Sequence, residues 1–168
     1  PAGRIRIPND SKSRAGGVLY SDYSLGRFFA EAARQPWFEN TIFLVTADHC
    51  ASSAGRTEIP LQKYHIPALI LAPGLIEPGV VDGIVSQIDL MPTLLSLLNM
   101  SYDSHFYGRS IFDPAYVNRA FIATYQDLGY LEGDTFTILS PVRRFEQYRV
   151  VPTEENPHHL EAMERKDA

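Results

Sequence analysis

A single cysteine, Cys50, stands in 168 residues, so no internal disulfide is available and the redox compartment stays open. Basic residues are outnumbered, 15 Lys and Arg against 20 Asp and Glu, for a net charge of −5. That balance argues against a nucleic-acid partner, which would want a basic face. No uninterrupted apolar run approaches the roughly 20 residues needed to span a bilayer. Internal repeats, low-complexity tracts and a secretory signal are likewise not visible. The chain opens on Pro1 rather than Met, so it reads as a piece of a longer protein, and targeting segments cannot be judged from it.

What is there is a globular composition, 45% hydrophobic with 11% aromatic residues. One domain is the default at this length, long enough to bury roughly 70% of its unfolded surface. Residues 1–16 are polar and rich in Gly, Pro and Ser, and predict a loop entering from a missing N-terminal half. From 17 to 35 the periodicity is helical, with Val18, Leu25, Phe28, Phe29 and Ala32 on one stripe, and Pro36 ends it. Residues 41–47 and 66–74 are short continuous apolar runs, as expected of strands buried on both faces of a parallel sheet. "SQIDLMPTLLSLLN" predicts a helix, with Asp89 as a cap and Pro92 in the first turn. This order predicts an α/β layered sheet with flanking helices over 17–118. Past Arg119, "RAFIATY", "DTFTILS" and "QYRVVP" predict an extension of antiparallel strands over 119–155, then a frayed tail over 156–168.

The chemistry concentrates in "TIFLVTADHCASSAG", where an apolar strand stops on Asp48-His49 and breaks into small residues. Ligands of open α/β sheets bind beyond the carboxyl ends of the strands. A carboxylate oxygen and a neutral imidazole nitrogen suit Zn²⁺ or Mn²⁺ better than Ca²⁺ or Mg²⁺. Neighbouring residues on a regular strand point to opposite faces, so both reach one ion only where the strand gives way. Two ligands do not complete a site, and a third must come from elsewhere. The plainer alternative is that His49 bonds a backbone carbonyl while Asp48 caps the next turn.

Five separated segments, "YSDYSLGRFF", "WFENTIFLVTADH", "YHIPALILAPG", "SQIDLMPTLL" and "FYGRSIF", carry a resemblance. Over about residues 12–140 the chain resembles the sulfatase-like branch of the alkaline phosphatase superfamily, in particular lipoteichoic acid synthase-like phosphoglycerol transferases. The resemblance implies that Asp48 and His49 bind a catalytic metal, Mn²⁺ first and Zn²⁺ as the alternative. It implies a Thr or Ser nucleophile that forms a covalent phospho-enzyme, with a further acidic ligand, both upstream of this chain. On that reading the chain is a partial domain with half of the metal site, inactive by itself. The substrate would be a phospholipid headgroup or another anionic ester. The intact protein would be membrane-anchored and face the periplasm. Sulfatase or phosphodiesterase activity is the alternative, and a non-catalytic binding domain is the alternative of another class.

Other residues invite weaker readings. Lys63 precedes the second strand and could reach an anionic substrate, or simply be solvated. Cys50 lacks the Cys-x-Pro-x-Arg context of a sulfatase nucleophile, being followed by Ala51, Ser52, Ser53 and Ala54. His65 suggests packing or a hydrogen bond. Asp22 suggests a buried hydrogen-bonding role, Arg109 a structural one, and His158-His159 no metal site, since an exposed tail would not fix them.

Overall fold

Residues 13–50 and 59–163 are described by a computed structural model. The small residues that follow Cys50, and most of the loop expected at 1–16, lie outside these ranges. The architecture is α/β, with the chain divided into two compact units. One holds the chain up to Phe43 with Ile70–Pro78, the other Leu44–Leu69 with the chain from Gly79. The division does not fall at the change of sequence texture near Arg119.

In the first unit, α1 runs Arg14–Ala32. It starts where the Ser13 hydroxyl accepts from the Gly16 amide at 3.1 Å, satisfying one of the orphan donors of the first turn. Its end precedes Pro36, which cannot continue a helix. The expected apolar stripe exists, but only Gly16 and Ala32 are buried, and Val18 is 64% exposed. Asp22 is exposed on this helix, against the buried role expected of it. Phe28 and Phe29 meet Phe43 edge-on with ring centroids 5.9 and 5.4 Å away, and Trp37 and Phe38 complete the aromatic cluster.

Strands β1, Phe43–Thr46, and β2, Ala68–Leu71, pair in a two-stranded sheet. Both lie where the apolar runs predict, but neither is buried on both faces. Phe43, Leu44 and Val45 are half-buried, and Ala68 and Leu69 are exposed. The apolar demand of these strands exceeds the cover that the described residues supply.

The second unit holds a five-stranded antiparallel meander: β3 Arg119–Ala123, β4 Leu128–Glu132, β5 Thr135–Ser140, β6 Arg144–Val150 and β7 Leu160–Ala162. Three strands were legible in the sequence; β4 and β7 were not. Residues 160–162, in the stretch expected to fray, instead pair with β6. Strand alternation puts Ile122, Leu131, Phe136, Ile138 and Tyr148 on one face, over a core shared with Ile59 and Leu61. Phe136 is 0% exposed. Gly129 makes room for it, because a Cβ there would lie 2.8 Å from the Phe136 ring.

The helix predicted from "SQIDLMPTLLSLLN" opens as a 3₁₀ turn, Gln87–Asp89, and continues as α2, Leu90–Leu97. Ser86 is the N-cap, and Asp89 answers it from three residues on, its carboxylate accepting from the Ser86 amide at 3.1 Å. Asp89 is therefore the acidic half of a capping box, and Ser86 is the capping residue itself.

Candidate functional site

At the end of β1 the backbone bends at Asp48 and His49, and the next strand helps to hold it there. The Ala47 amide donates to the Pro67 carbonyl at 3.3 Å, which ties the strand end to the segment entering β2. Asp48 and His49 are both exposed, with side chains 86% and 73% accessible. The Asp48 Oδ1 accepts the His49 amide at 2.9 Å. His49 Nδ1 lies 2.9 Å from the Cys50 carbonyl. A carbonyl only accepts, so Nδ1 carries a proton and donates it there, while Nε2 faces the Asp48 carboxylate. The carbonyl bond anticipated for His49 is thus present, whereas Asp48 bonds the adjacent amide and not a following turn, and these bonds leave Asp48 Oδ2 and His49 Nε2 uncommitted to them.

Those two atoms stand 3.4 Å apart. Two lone pairs facing each other at that distance repel unless a proton or a cation lies between them. A tetrahedral ion with bonds of about 2.0–2.2 Å spaces its ligand atoms about 3.3–3.6 Å apart. The donor types, their spacing and the tethering of Nδ1 to a carbonyl, the usual support of a metal-ligating imidazole, all fit a divalent ion. Among the described residues no group of three or more His, Cys, Asp or Glu could hold a metal. The pair therefore offers two ligands.

Around it, Lys63 ends a 3₁₀ turn, Leu61–Lys63, before β2, and no hydrogen bond or ion pair among the described residues joins it to Asp48 or His49. Tyr64 follows. Burial raises its hydroxyl pKa, and the proximity of Cys50 adds to that, so this segment lies beside the residue after the pair. His65 packs its ring edge-to-face on His158, centroids 5.4 Å apart. Half-buried His158 is thus held by a ring contact, against the exposed tail expected there.

Sequence reasoning did not single out Gln87. Its carboxamide Nε2 donates to the Ala47 carbonyl at 2.9 Å and reaches the Asp48 carbonyl at 3.4 Å. The only signal was its place in "SQIDLMPTLL", one residue after a capping serine.

Beneath Gln87 lies a buried ionic cluster. Asp89 is 0% exposed and takes a bidentate Arg119 at 2.9 and 3.1 Å, the Tyr116 hydroxyl at 2.9 Å and the Arg109 amide at 2.8 Å. Burial alone would raise its pKa; the guanidinium, the amide and the hydroxyl together outweigh burial and hold it below the ordinary carboxylate range. Burial, then Asp89, pushes the Tyr116 hydroxyl up to about 12. Arg109 contributes its backbone, in keeping with the structural role expected of it.

Comparison with known proteins places this arrangement. The pattern of the sulfatase family matches residues 8–100, which include Asp48, His49 and Gln87. The chain belongs to the sulfatase family. It is 30% identical over 107 residues to an arylsulfatase of Clostridium perfringens, covering 58% of this chain and 22% of that protein. In structure it is similar to a protein of the alkaline phosphatase superfamily from Vibrio parahaemolyticus, with a TM-score of 0.88 and 32% identity over 99% of this chain and 40% of that one. This sulfatase-family chain thus spans less than half the length of either relative. The superfamily and the α/β fold implied by the sequence resemblance hold. The lipoteichoic acid synthase-like branch is a finer reading than these relatives carry.

Proposed function

We propose that Asp48 and His49 are two ligands of a catalytic divalent cation, Mn²⁺ or Zn²⁺, in an enzyme that cleaves or transfers an anionic ester. The observation that carries this is the 3.4 Å spacing of Asp48 Oδ2 and His49 Nε2 at a strand end, with Nδ1 already committed to the Cys50 carbonyl. A divalent ion bound there supplies charge neutralisation for the ester's oxygens and lowers the pKa of a coordinated hydroxyl. The chain's own residues hold that ion and move no proton. Asp48 contributes a charge and His49 a neutral donor whose tautomer is set by the backbone. The further ligands and the Thr or Ser nucleophile belong, on this reading, to the longer protein.

Within this class, transfer of a phosphoglycerol or phosphoethanolamine headgroup is the reading supported by the order of the five motifs. Lys63 would then meet the anionic group of a phospholipid at the outer face of a membrane. No helix among the described residues is long and apolar enough to cross one. A second reading, sulfate ester hydrolysis, is favoured by the similarity to the Clostridium perfringens arylsulfatase.

Metal content and turnover of the protein at its natural length, with Asp48→Asn beside it, test the proposal. The wild type is expected to co-purify with about one Mn²⁺ or Zn²⁺ that D48N loses, and activity is expected to fall by at least about 10²-fold. Turnover of p-nitrophenyl sulfate without a phosphodiester would select the second reading. Full metal content in D48N would overturn both.

A further inference from the structure

Adjacent side chains on a strand point to opposite faces, so a chelate built from Asp48 and His49 requires the backbone to turn between β1 and Cys50. The bend at residues 48 and 49 provides that turn. Carbonyls of successive strand residues also point in opposite directions. Yet the one carboxamide nitrogen of Gln87 approaches the carbonyls of both Ala47 and Asp48. It can do so only because the strand geometry has ended there, and each of its two N–H bonds then has an acceptor on the bend.

Gln87 is exposed, so these bonds are not needed to satisfy a buried group. Holding a long, mobile side chain on two carbonyls costs rotamer entropy and adds little to global stability. Its backbone is nevertheless firmly placed. The 3₁₀ turn Gln87–Asp89 is closed by the Ser86–Asp89 capping box, and Asp89 is bound in turn by Arg119, Tyr116 and the Arg109 amide. An exposed amide on so rigid a base is suited to fixing something beside it.

We infer that Gln87 is a positioning residue whose carboxamide clamps the Ala47 and Asp48 carbonyls and so sets the spacing of Asp48 Oδ2 and His49 Nε2 as a chelate. This rests on the reading of that pair as metal ligands. Gln87 touches neither the ion nor the substrate, and it acts through the bend. Without the clamp the dipeptide samples other rotations, and the two donors meet the ion less often at a common distance.

The test compares wild type, Gln87→Met and Asp48→Asn in the protein at its natural length, stripped of metal and titrated with Co²⁺ while its visible absorption is recorded. Methionine keeps the length of glutamine and removes both donors. Q87M is expected to raise the Co²⁺ dissociation constant about tenfold, the lower end of the loss seen when outer-shell partners are removed. It should also shift the ligand-field bands, with the metal-free melting temperature unchanged. D48N is expected to lose Co²⁺ binding. Wild-type affinity and spectrum in Q87M, with binding lost in D48N, would overturn the inference while the metal reading stands. A Q87M protein whose metal-free form melts several degrees lower would also overturn it, since Gln87 would then be a general packing residue. Unchanged binding in D48N would overturn the metal reading and the inference with it.

Discussion

Arg119 and Asp89 show how one ion pair can govern a neighbourhood. Arg119's side chain is 12% accessible and that of Asp89 is 0%, so neither charge can turn to water if the other is removed. Replacing Arg119 by Met leaves a buried carboxylate with amide and hydroxyl partners only. The expected cost is about 3–5 kcal/mol, read as a lower urea midpoint at pH 7. The depressed Asp89 pKa also contributes stability that is present above the unfolded carboxylate value and is lost as pH falls through the folded one. In R119M that acid-side loss should shrink. An unfolding free energy within about 1 kcal/mol of wild type would show that the pair does not hold the turn.

His158 carries a second pH signature. Burial first, and then His65, lowers its pKa from the ordinary histidine value. The folded protein therefore binds fewer protons than the unfolded chain at mildly acid pH. Its contribution is complete above about 6.5 and is lost as pH falls through the lowered folded value. The melting temperature should drop from pH 7 towards 5, and His158→Gln should flatten that limb. An identical limb in H158Q would assign the loss to other groups.

At the scale of elements, glycine misleads and explains. Gly129 sits inside β4, where it reads as a strand breaker, and so "LGYLE" was not legible as a strand. In the sheet it is the residue that lets Phe136 close against Ile59. Gly108 plays a comparable part between two segments. A Cβ there would lie 2.0 Å from the Ile88 carbonyl, so "FYGRS" can cross the 3₁₀ turn only because residue 108 has none. Gly108→Ala must push the segment off the turn and pull the Arg109 amide from Asp89. The expected loss is about 2 kcal/mol or more in urea unfolding, and a neutral result would mean that the crossing yields to a methyl group without disturbing Asp89. β7 stayed illegible for another reason: three residues of edge strand have no period of their own, and β6 supplies their pairing.

For the molecule as a whole, the motifs that resemble the family are physically joined. Pro67 of "YHIPALILAPG" accepts from Ala47 of "WFENTIFLVTADH". Gln87 of "SQIDLMPTLL" donates to the same strand end, and Arg109 of "FYGRSIF" donates to Asp89 in the motif before it. Family membership therefore reflects a connected scaffold behind the Asp48-His49 pair. A fold does not by itself fix which ester is cleaved, so the proposed function is decided by the metal and turnover comparison of wild type and D48N in the protein at its natural length.

By itself the sequence determined α1, β1, β2, α2 and three of the five meander strands, because periodicity and continuous apolar runs are local consequences of burial. It also determined that Asp48 and His49 lie just past the end of a strand, since the change from apolar to small and polar residues is visible there. The tertiary structure alone decided that their donor atoms face each other, that Gln87 reaches the bend from 39 residues away, and that Asp89 belongs to a buried ion pair as well as a cap. The reach of Gln87 and the Asp89–Arg119 pair depend on partners distant along the chain, and no local pattern encodes a distance between residues that meet only when the chain has folded.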